Sequence, residues 1–168
     1  RLAAFPEDAA QGFLIAREVP LDSSHRHYSH LLMVYPLHLV NPEQQDGAER
    51  FRRSLQHWHS FPDALFGYSF TGGASMAALL GDGELALSYL TGFKRFIEPN
   101  TMYREAGPVI ETPLSAMQSI HDLLLQSCDA PDGPLIRIFP AVPQSWQDVV
   151  FDQWRAEGAF LVSAARHR

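Results

Sequence analysis

"GYSFTGGASMAALLGDGELALSYLTGFKRFI", residues 67–97, has the pattern of two consecutive helices. Its first half is rich in Gly, Ala and Ser, and it predicts a helix over about 69–80 that either packs closely against another helix or forms the floor of a pocket. Gly81 ends this helix, and an amphipathic pattern then runs over about 83–97. Two helices joined by so short a turn form an antiparallel hairpin, so the stretch predicts a helical scaffold.

The sequence on either side of this hairpin predicts three further helices. They are expected at about 26–35, at about 42–61 with Asn41 as the cap and Pro42 in the first turn, and at 113–127 after a loop. Together with the hairpin they make five helices joined by loops.

The texture of the sequence changes after "DAPDGP", where β-branched and aromatic residues alternate between Pro and Gly. Strands are expected in "LIRIF" at 135–139, "DVVFDQW" at 148–154 and "GAFLVSA" at 158–164. Strands that appear only after the helices favour two packed units rather than βαβ repeats. We therefore predict a mainly α chain with a helical part over 1–130 and the start of an antiparallel β domain over 131–168.

The composition is that of a packed globular protein and excludes several function classes. The 168 residues are 46% hydrophobic and 11% aromatic, which is enough for a core. A net charge of -6 without a long basic run argues against nucleic acid as the main partner. No apolar stretch has the length of a membrane span, and a single cysteine, Cys128, excludes an intrachain disulfide. Both ends read as though cut from a longer chain.

Glu111 is the first candidate for chemistry. It lies in "GPVIETPLSAMQSIHDLLLQS", residues 107–127, one place before the predicted helix, for which Thr112 could be the cap and Pro113 the first turn. A helix N-terminus stabilises a negative charge by ~0.3–1 kcal/mol, so this carboxylate should stay ionised. That state suits a general base, and it equally suits an ordinary helix-capping anion.

Glu18, in "LIAREVPL", is the second candidate. Its neighbours at 14, 15 and 19 are apolar, and a carboxyl held among them would have its pKa raised by desolvation, as a general acid requires. The alternative is an exposed glutamate on a helix or strand edge. One protonated and one ionised carboxyl would form the pair that an acid/base hydrolase needs.

The segment "HRHYSH" places His25, His27 and His30 within six residues. His27 and His30 are three apart and would share one helical face. Imidazoles in this pattern indicate either a metal site or a polar pocket lining. No HExxH or CxxC motif accompanies them, so no metal is assigned.

The loop 98–111 and the tryptophans each allow two readings. The loop gathers polar and aromatic residues around apolar anchors, which is typical of functional loops but also of solvated ones: Glu98, Asn100, Tyr103, Arg104, Glu105 and Glu111. Trp58, Trp146 and Trp154 could stack on sugar rings, although core packing is the commoner role of tryptophan.

Several segments together resemble one family. They are "HRHYSHLLMVYPL" at 25–37, "LGDGELALSYL" at 80–90, "AMQSIHDLLLQS" at 116–127, and "IRIFPAVPQSW" with "WRAEGAFLVSA" at 136–164. In this order they resemble glycoside hydrolase family 95, the inverting α-L-fucosidases and α-L-galactosidases. The resemblance covers nearly the whole chain.

The resemblance implies a fragment of an (α/α)6 barrel followed by the first strands of a C-terminal β domain, with an upstream β-sandwich and half-barrel outside this sequence. It implies exo-hydrolysis of α-linked L-fucosyl or L-galactosyl residues from glycans, without metal or organic cofactor. The missing upstream chain, or another copy, would cover the helix faces. Family resemblance also suggests a secreted or periplasmic location.

The resemblance also implies roles for individual residues. Glu111 falls on the family's base position and Glu18 on its general acid, with carboxyls ~6.5–9.5 Å apart in an inverting mechanism. His25, Arg26 and His27 fall on the sugar-binding face, and we predict that Asn100 and Tyr103 of the loop also bind substrate.

The chain departs from the family pattern beside both carboxyls. Glu replaces Asp at 111, Thr112-Pro113 replaces Gly-Asn, and Val19 replaces Trp. These departures support a second hypothesis, a carbohydrate-binding scaffold whose catalytic pair has degenerated. A metal-dependent hydrolase built on the three histidines is a third.

Overall fold

The structure is a computed structural model that describes residues 3–100, 102–105, 107, 109–130 and 133–167. In these residues the α-helices are α1 (Gly47–His59), α2 (Gly67–Leu79), α3 (Gly83–Phe93) and α4 (Glu111–Leu124). The strands are β1 (Glu7–Asp8), β2 (Gly12–Phe13), β3 (Leu125–Ala130), β4 (Gly133–Ile138), β5 (Val149–Ala156) and β6 (Phe160–Arg166). Short 3-10 helices lie at Ser29–Leu31, Lys94–Phe96 and Glu157–Ala159.

The central hairpin is formed by α2 and α3, as the sequence predicts. Helix α2 is buried on nearly every side, and its small residues let neighbouring segments approach closely. For example, a Cβ added at Gly72 would lie 2.4 Å from the Tyr28 ring. The turn ends with Asp82, whose Oδ1 accepts a hydrogen bond from the Leu85 backbone N–H at 2.9 Å. This N-cap explains why α3 begins at Gly83.

Helix α1 is amphipathic and buries Phe51, Leu55 and Trp58. The prediction that Asn41 caps it is wrong, because the chain turns through 41–46 and α1 begins after Asp46, which has a left-handed φ of 56°. Asn41 is buried instead, and its side-chain amide donates to the Asp129 carbonyl at 3.1 Å. This distant partner holds the asparagine out of the capping position.

The prediction of a helix over 26–35 is also wrong. The segment has one 3-10 turn at Ser29–Leu31 followed by turns. Its buried residues are Tyr28, His30, Leu31, Met33, Val34 and Tyr35, which do not lie on one helical face. Packing against several neighbours therefore overrides the local helical pattern.

Helix α4 starts earlier and ends earlier than predicted. Glu111 is its first residue, not the residue before its cap, and the N-cap is Ile110. The helix ends at Leu124, because the chain from Leu125 onward pairs as β3 with β4. The predicted helical end at 125–127 is therefore strand.

The strands form three separate antiparallel pairs: β1 with β2, β3 with β4, and β5 with β6. The three predicted strands correspond to β4, β5 and β6 with shifted ends. The described chain is thus a mixed structure of helices and small strand pairs. A barrel stays a prediction, and so does a domain division at 130/131. The paired strands β3 and β4 lie on opposite sides of that point in the sequence.

The core lies between α1, α2, α4 and β5. Its largest fully buried side chains include Trp58, Phe51, Leu31, Leu55, Met76 and Leu123. The opposite face of α4 leaves an apolar stripe exposed, formed by Ile110, Leu114, Met117 and Ile120. Among the described residues, none of the helices has the length and apolarity needed to cross a membrane. That upstream chain or another copy of the protein packs over this stripe stays a prediction.

Asp122 near the end of α4 should make the stability of the fold depend on pH. Burial raises the pKa of this carboxyl from 3.8 to about 6, against a hydrogen bond from Gln118 Nε2 at 2.7 Å. A carboxyl whose pKa is higher in the folded state favours folding while protonated. Its contribution is complete below pH 4 and disappears as pH rises through 6, by roughly 3 kcal/mol.

We therefore expect Asp122→Asn to flatten the dependence of the unfolding free energy on pH between 4 and 6 and to raise that free energy at pH 7. Urea denaturation across this pH range measures both effects. Asp63→Asn, at an exposed carboxyl, is the matched control and should leave the parental curve unchanged. An Asp122→Asn curve parallel to the parent's would contradict the assignment.

Candidate active site

Glu111 faces a cavity at the start of α4. The half-buried carboxyl lines about 300 Å³ of space together with His27, Tyr28, Ser29, Leu32 and Tyr68. Because Glu111 is in the first turn of the helix, the helix dipole stabilises its negative charge. The position combines a carboxylate in the first turn of a helix with a cavity of mixed polar and apolar lining.

A second cavity of about 310 Å³ adjoins the first. It is lined by Ile15, Leu21, Ser23, His25, His27, Ser29 and His30. His27 and Ser29 line both cavities. The structure therefore brings the histidine segment and Glu111 to one surface.

Glu105 contacts three of the segments that form this surface. Its side chain is fully buried, and Oε2 lies 3.2 Å from Nη1 of Arg26. Oε1 accepts hydrogen bonds from the Tyr68 backbone N–H at 2.7 Å and from the Thr112 hydroxyl at 2.8 Å. One carboxylate thus links the histidine segment, the start of α2 and the start of α4.

Two tyrosines, Tyr28 and Tyr68, line the cavity at Glu111 and contact each other. The Tyr28 and Tyr68 rings stack with centroids 5.6 Å apart, and their hydroxyls lie within hydrogen-bond distance at 3.0 Å. His27 contacts the Tyr68 ring edge-on at 5.7 Å. Trp58 Nε1 donates to the His25 carbonyl at 2.8 Å, which anchors the segment to α1.

His27 and His30 are neutral donors and acceptors rather than charges. Burial lowers the pKa of His27, with Arg26 and His25 acting in the same direction and Glu111 and Glu105 opposing. Burial lowers the pKa of His30 to about 4. Exposed His25 accepts a hydrogen bond from the His27 backbone N–H at 3.0 Å. Neutral imidazoles suit hydroxyl-rich ligands, since they can both donate and accept.

Within the described ranges, no three His, Cys, Asp or Glu side chains are placed to hold a metal ion. The three imidazoles of the histidine segment therefore line one cavity, His30 as its buried member, without forming a ligand set around a common centre.

A comparison with family models identifies the chain. The model of the glycosyl hydrolase family 95 catalytic domain matches residues 17–112, more than half of the sequence. The chain belongs to glycosyl hydrolase family 95. This membership indicates a glycoside hydrolase, and therefore a glycan substrate. A search of curated proteins found no match.

The family 95 match runs from Arg17 to Thr112, so it includes both predicted catalytic carboxyls, the histidine segment and Glu105. Apart from Ile15, the residues that line the two cavities thus lie within the part of the chain that matches a catalytic domain.

Glu18 does not have the apolar enclosure that is one of the two possibilities its neighbours suggest. It occupies a turn closed by the Ala16–Val19 bridge, with a left-handed φ of 59°. Its side chain is 88% exposed and lies 4.0 Å from Arg17, and the adjacent Ile15 and Val19 are exposed as well. Of the two possibilities that the sequence leaves open, the structure has the exposed glutamate, because the tight turn directs these side chains to solvent. Its catalytic role in this family 95 chain stays a prediction.

Asn100 and Tyr103 lie in a local turn rather than along the two cavities. The Asn100 Oδ1 accepts from the Met102 backbone N–H at 3.1 Å, and Tyr103 stacks on Phe93 at 5.8 Å. Their contact with substrate stays a prediction. The sequence did not single out Tyr68, whose one signal is its place after Gly67 at a helix start.

Proposed function

We propose that this family 95 chain forms part of an inverting exo-glycosidase that removes α-linked L-fucosyl or L-galactosyl residues. Glu111 is the general base, Glu18 the general acid, and His25, Arg26, His27, Asn100 and Tyr103 bind substrate. One observation carries the proposal: the Glu111 carboxylate, in the first turn of a helix, opens on a cavity that His27 and Tyr68 also line. It lies within the catalytic-domain match.

The reaction follows from these roles. Glu111 takes a proton from a water molecule, and the water oxygen bonds to the anomeric carbon as the glycosidic bond breaks. Glu18 gives its proton to the departing oxygen, so the two carboxyls exchange protonation states and the anomeric configuration inverts. A general acid must hold its proton at the working pH. Exposed Glu18 therefore needs enclosure by substrate or by protein that packs over its turn.

The exposure of Glu18 also favours a second function, carbohydrate binding on a hydrolase scaffold without turnover. In that case the cavities at His27 hold a sugar, and no pair of carboxyls acts on it. The two functions differ in whether bound sugar is cleaved.

The test is hydrolysis by the full-length protein of aryl α-L-fucoside and α-L-galactoside, with aryl β-D-galactoside as the control substrate. We expect release from the α-L-glycosides, and proton NMR of early product should show the β-anomer before mutarotation. Early α-anomer would exclude an inverting mechanism. Sugar binding measured by calorimetry without any release would support the binding scaffold instead.

A further inference from the structure

We propose that Glu105 is a positioning residue that sets Arg26 and Glu111 in their working arrangement. The inference rests on the proposed function, because Glu111 is its base. Three contacts to one fully buried carboxylate carry it.

The three contacts come from parts of the chain that are distant in sequence. Arg26 lies between His25 and His27, so its guanidinium fixes the segment that lines both cavities. Thr112 follows Glu111 in the first turn of α4, so its hydroxyl fixes the position of the base. A shift of the Glu105 carboxylate would move both sides of the site.

The start of α2 is shaped to hold this carboxylate. The Tyr68 backbone N–H donates to Oε1 at 2.7 Å, where the dipole of α2 adds to the attraction. A Cβ added at Gly67 would lie 2.7 Å from Oε1 and 2.9 Å from Thr112 Cγ2. Glycine at 67 is therefore what permits the close approach of Glu105 and Thr112.

Charge and hydrogen-bond capacity make glutamate hard to replace here. Both carboxylate oxygens accept, Oε2 from Arg26 and Oε1 from two donors. The amide of Glu105→Gln has one acceptor oxygen, and its NH₂ would oppose either the guanidinium or the Tyr68 N–H. The substitution keeps the volume of the side chain but must release one side of the link.

The links predict separable kinetic effects. A displacement of about 1 Å at a catalytic group can cost ~10²-fold in rate. Thr112→Val loses only the hydrogen bond by which Glu105 holds the start of α4, where Glu111 lies. We expect this variant to lower kcat with little change in KM. Glu105→Gln should lower kcat by about 10²-fold and also raise KM, since Arg26 loses its partner. A purely structural role would not produce this split.

A second measurement does not depend on turnover. The Arg26 side chain is 21% exposed and paired, so phenylglyoxal should modify it slowly. Glu105→Gln should release Arg26 and speed its modification several-fold, as followed by peptide mass spectrometry of the folded full-length protein. Glu49→Gln is the matched control, since Glu49 forms an exposed pair with Arg52 at 3.4 Å and lies outside both cavities. It should match the parent in both measurements.

The outcomes separate the two proposals. A parent that turns over substrate, with Glu105→Gln unchanged in kcat, KM and Arg26 modification, overturns the positioning role and leaves the glycosidase intact. A parent without turnover overturns the proposed function, and the positioning role then depends on Arg26 modification alone. Equal modification rates in the parent and in Glu105→Gln would refute it. Circular dichroism confirms that each variant is folded before it is assayed.

Discussion

Replacement of Glu111 by Gln should lower turnover of an α-L-fucoside by roughly 10²–10⁴-fold, the usual contribution of a general base. The amide keeps the size of the side chain but cannot accept the proton of the attacking water. Its cavity partners, His27 and Tyr68, remain in place, so sugar binding should change little. Initial rates give the first quantity and calorimetric titration gives the second.

Two further variants sharpen this test. Glu84 is the matched control, because it also lies in the first turn of a helix, α3, where Oε1 accepts from the Gln144 backbone N–H at 2.6 Å. Glu84→Gln should keep parental turnover. Glu111→Asp retains the charge but shortens the reach by one methylene, so its rate should fall between those of the parent and Glu111→Gln. Parental turnover in Glu111→Gln would assign the base to another residue.

The hairpin could be predicted because its determinants are local. The small residues of α2, the break at Gly81 and the cap Asp82 all lie within the stretch they define. The same holds for β5 and β6, whose alternating residues are bounded by Pro and Gly. Local signals of this kind survive in the folded chain because no distant partner competes with them.

Distant contacts account for the errors. The segment 26–35 contacts neighbours on several sides, and the end of "HDLLLQS" reads as helix until β4 pairs with it. Glu105 could be recognised as a polar residue of a functional loop, but its partner Arg26 lies 79 positions earlier. Spacing along the sequence contains no record of that pairing. Glu111 could be predicted to lie at a helix start because the pattern that predicts α4 lies directly after it in the sequence.

The largest loss of stability is expected at Trp58. Its side chain is 0% exposed, and its ring packs against Tyr28 with centroids 5.4 Å apart. Trp58→Ala should lower the free energy of unfolding by about 3–5 kcal/mol, because it removes buried surface and leaves a cavity. Urea denaturation at pH 7 measures the change. Trp154→Ala, at a half-buried tryptophan, should cost less.

Trp58→Phe separates the core role of this residue from its role beneath the site. Most of the apolar volume is kept, but the His25 carbonyl loses the hydrogen bond from Nε1, which should cost only about 0.5–1.5 kcal/mol. Since that carbonyl belongs to the segment that lines both cavities, KM should rise more in Trp58→Phe than its modest stability change would suggest. If KM stays parental while stability falls, Trp58 supports the core alone, and the anchor to His25 has no part in substrate binding.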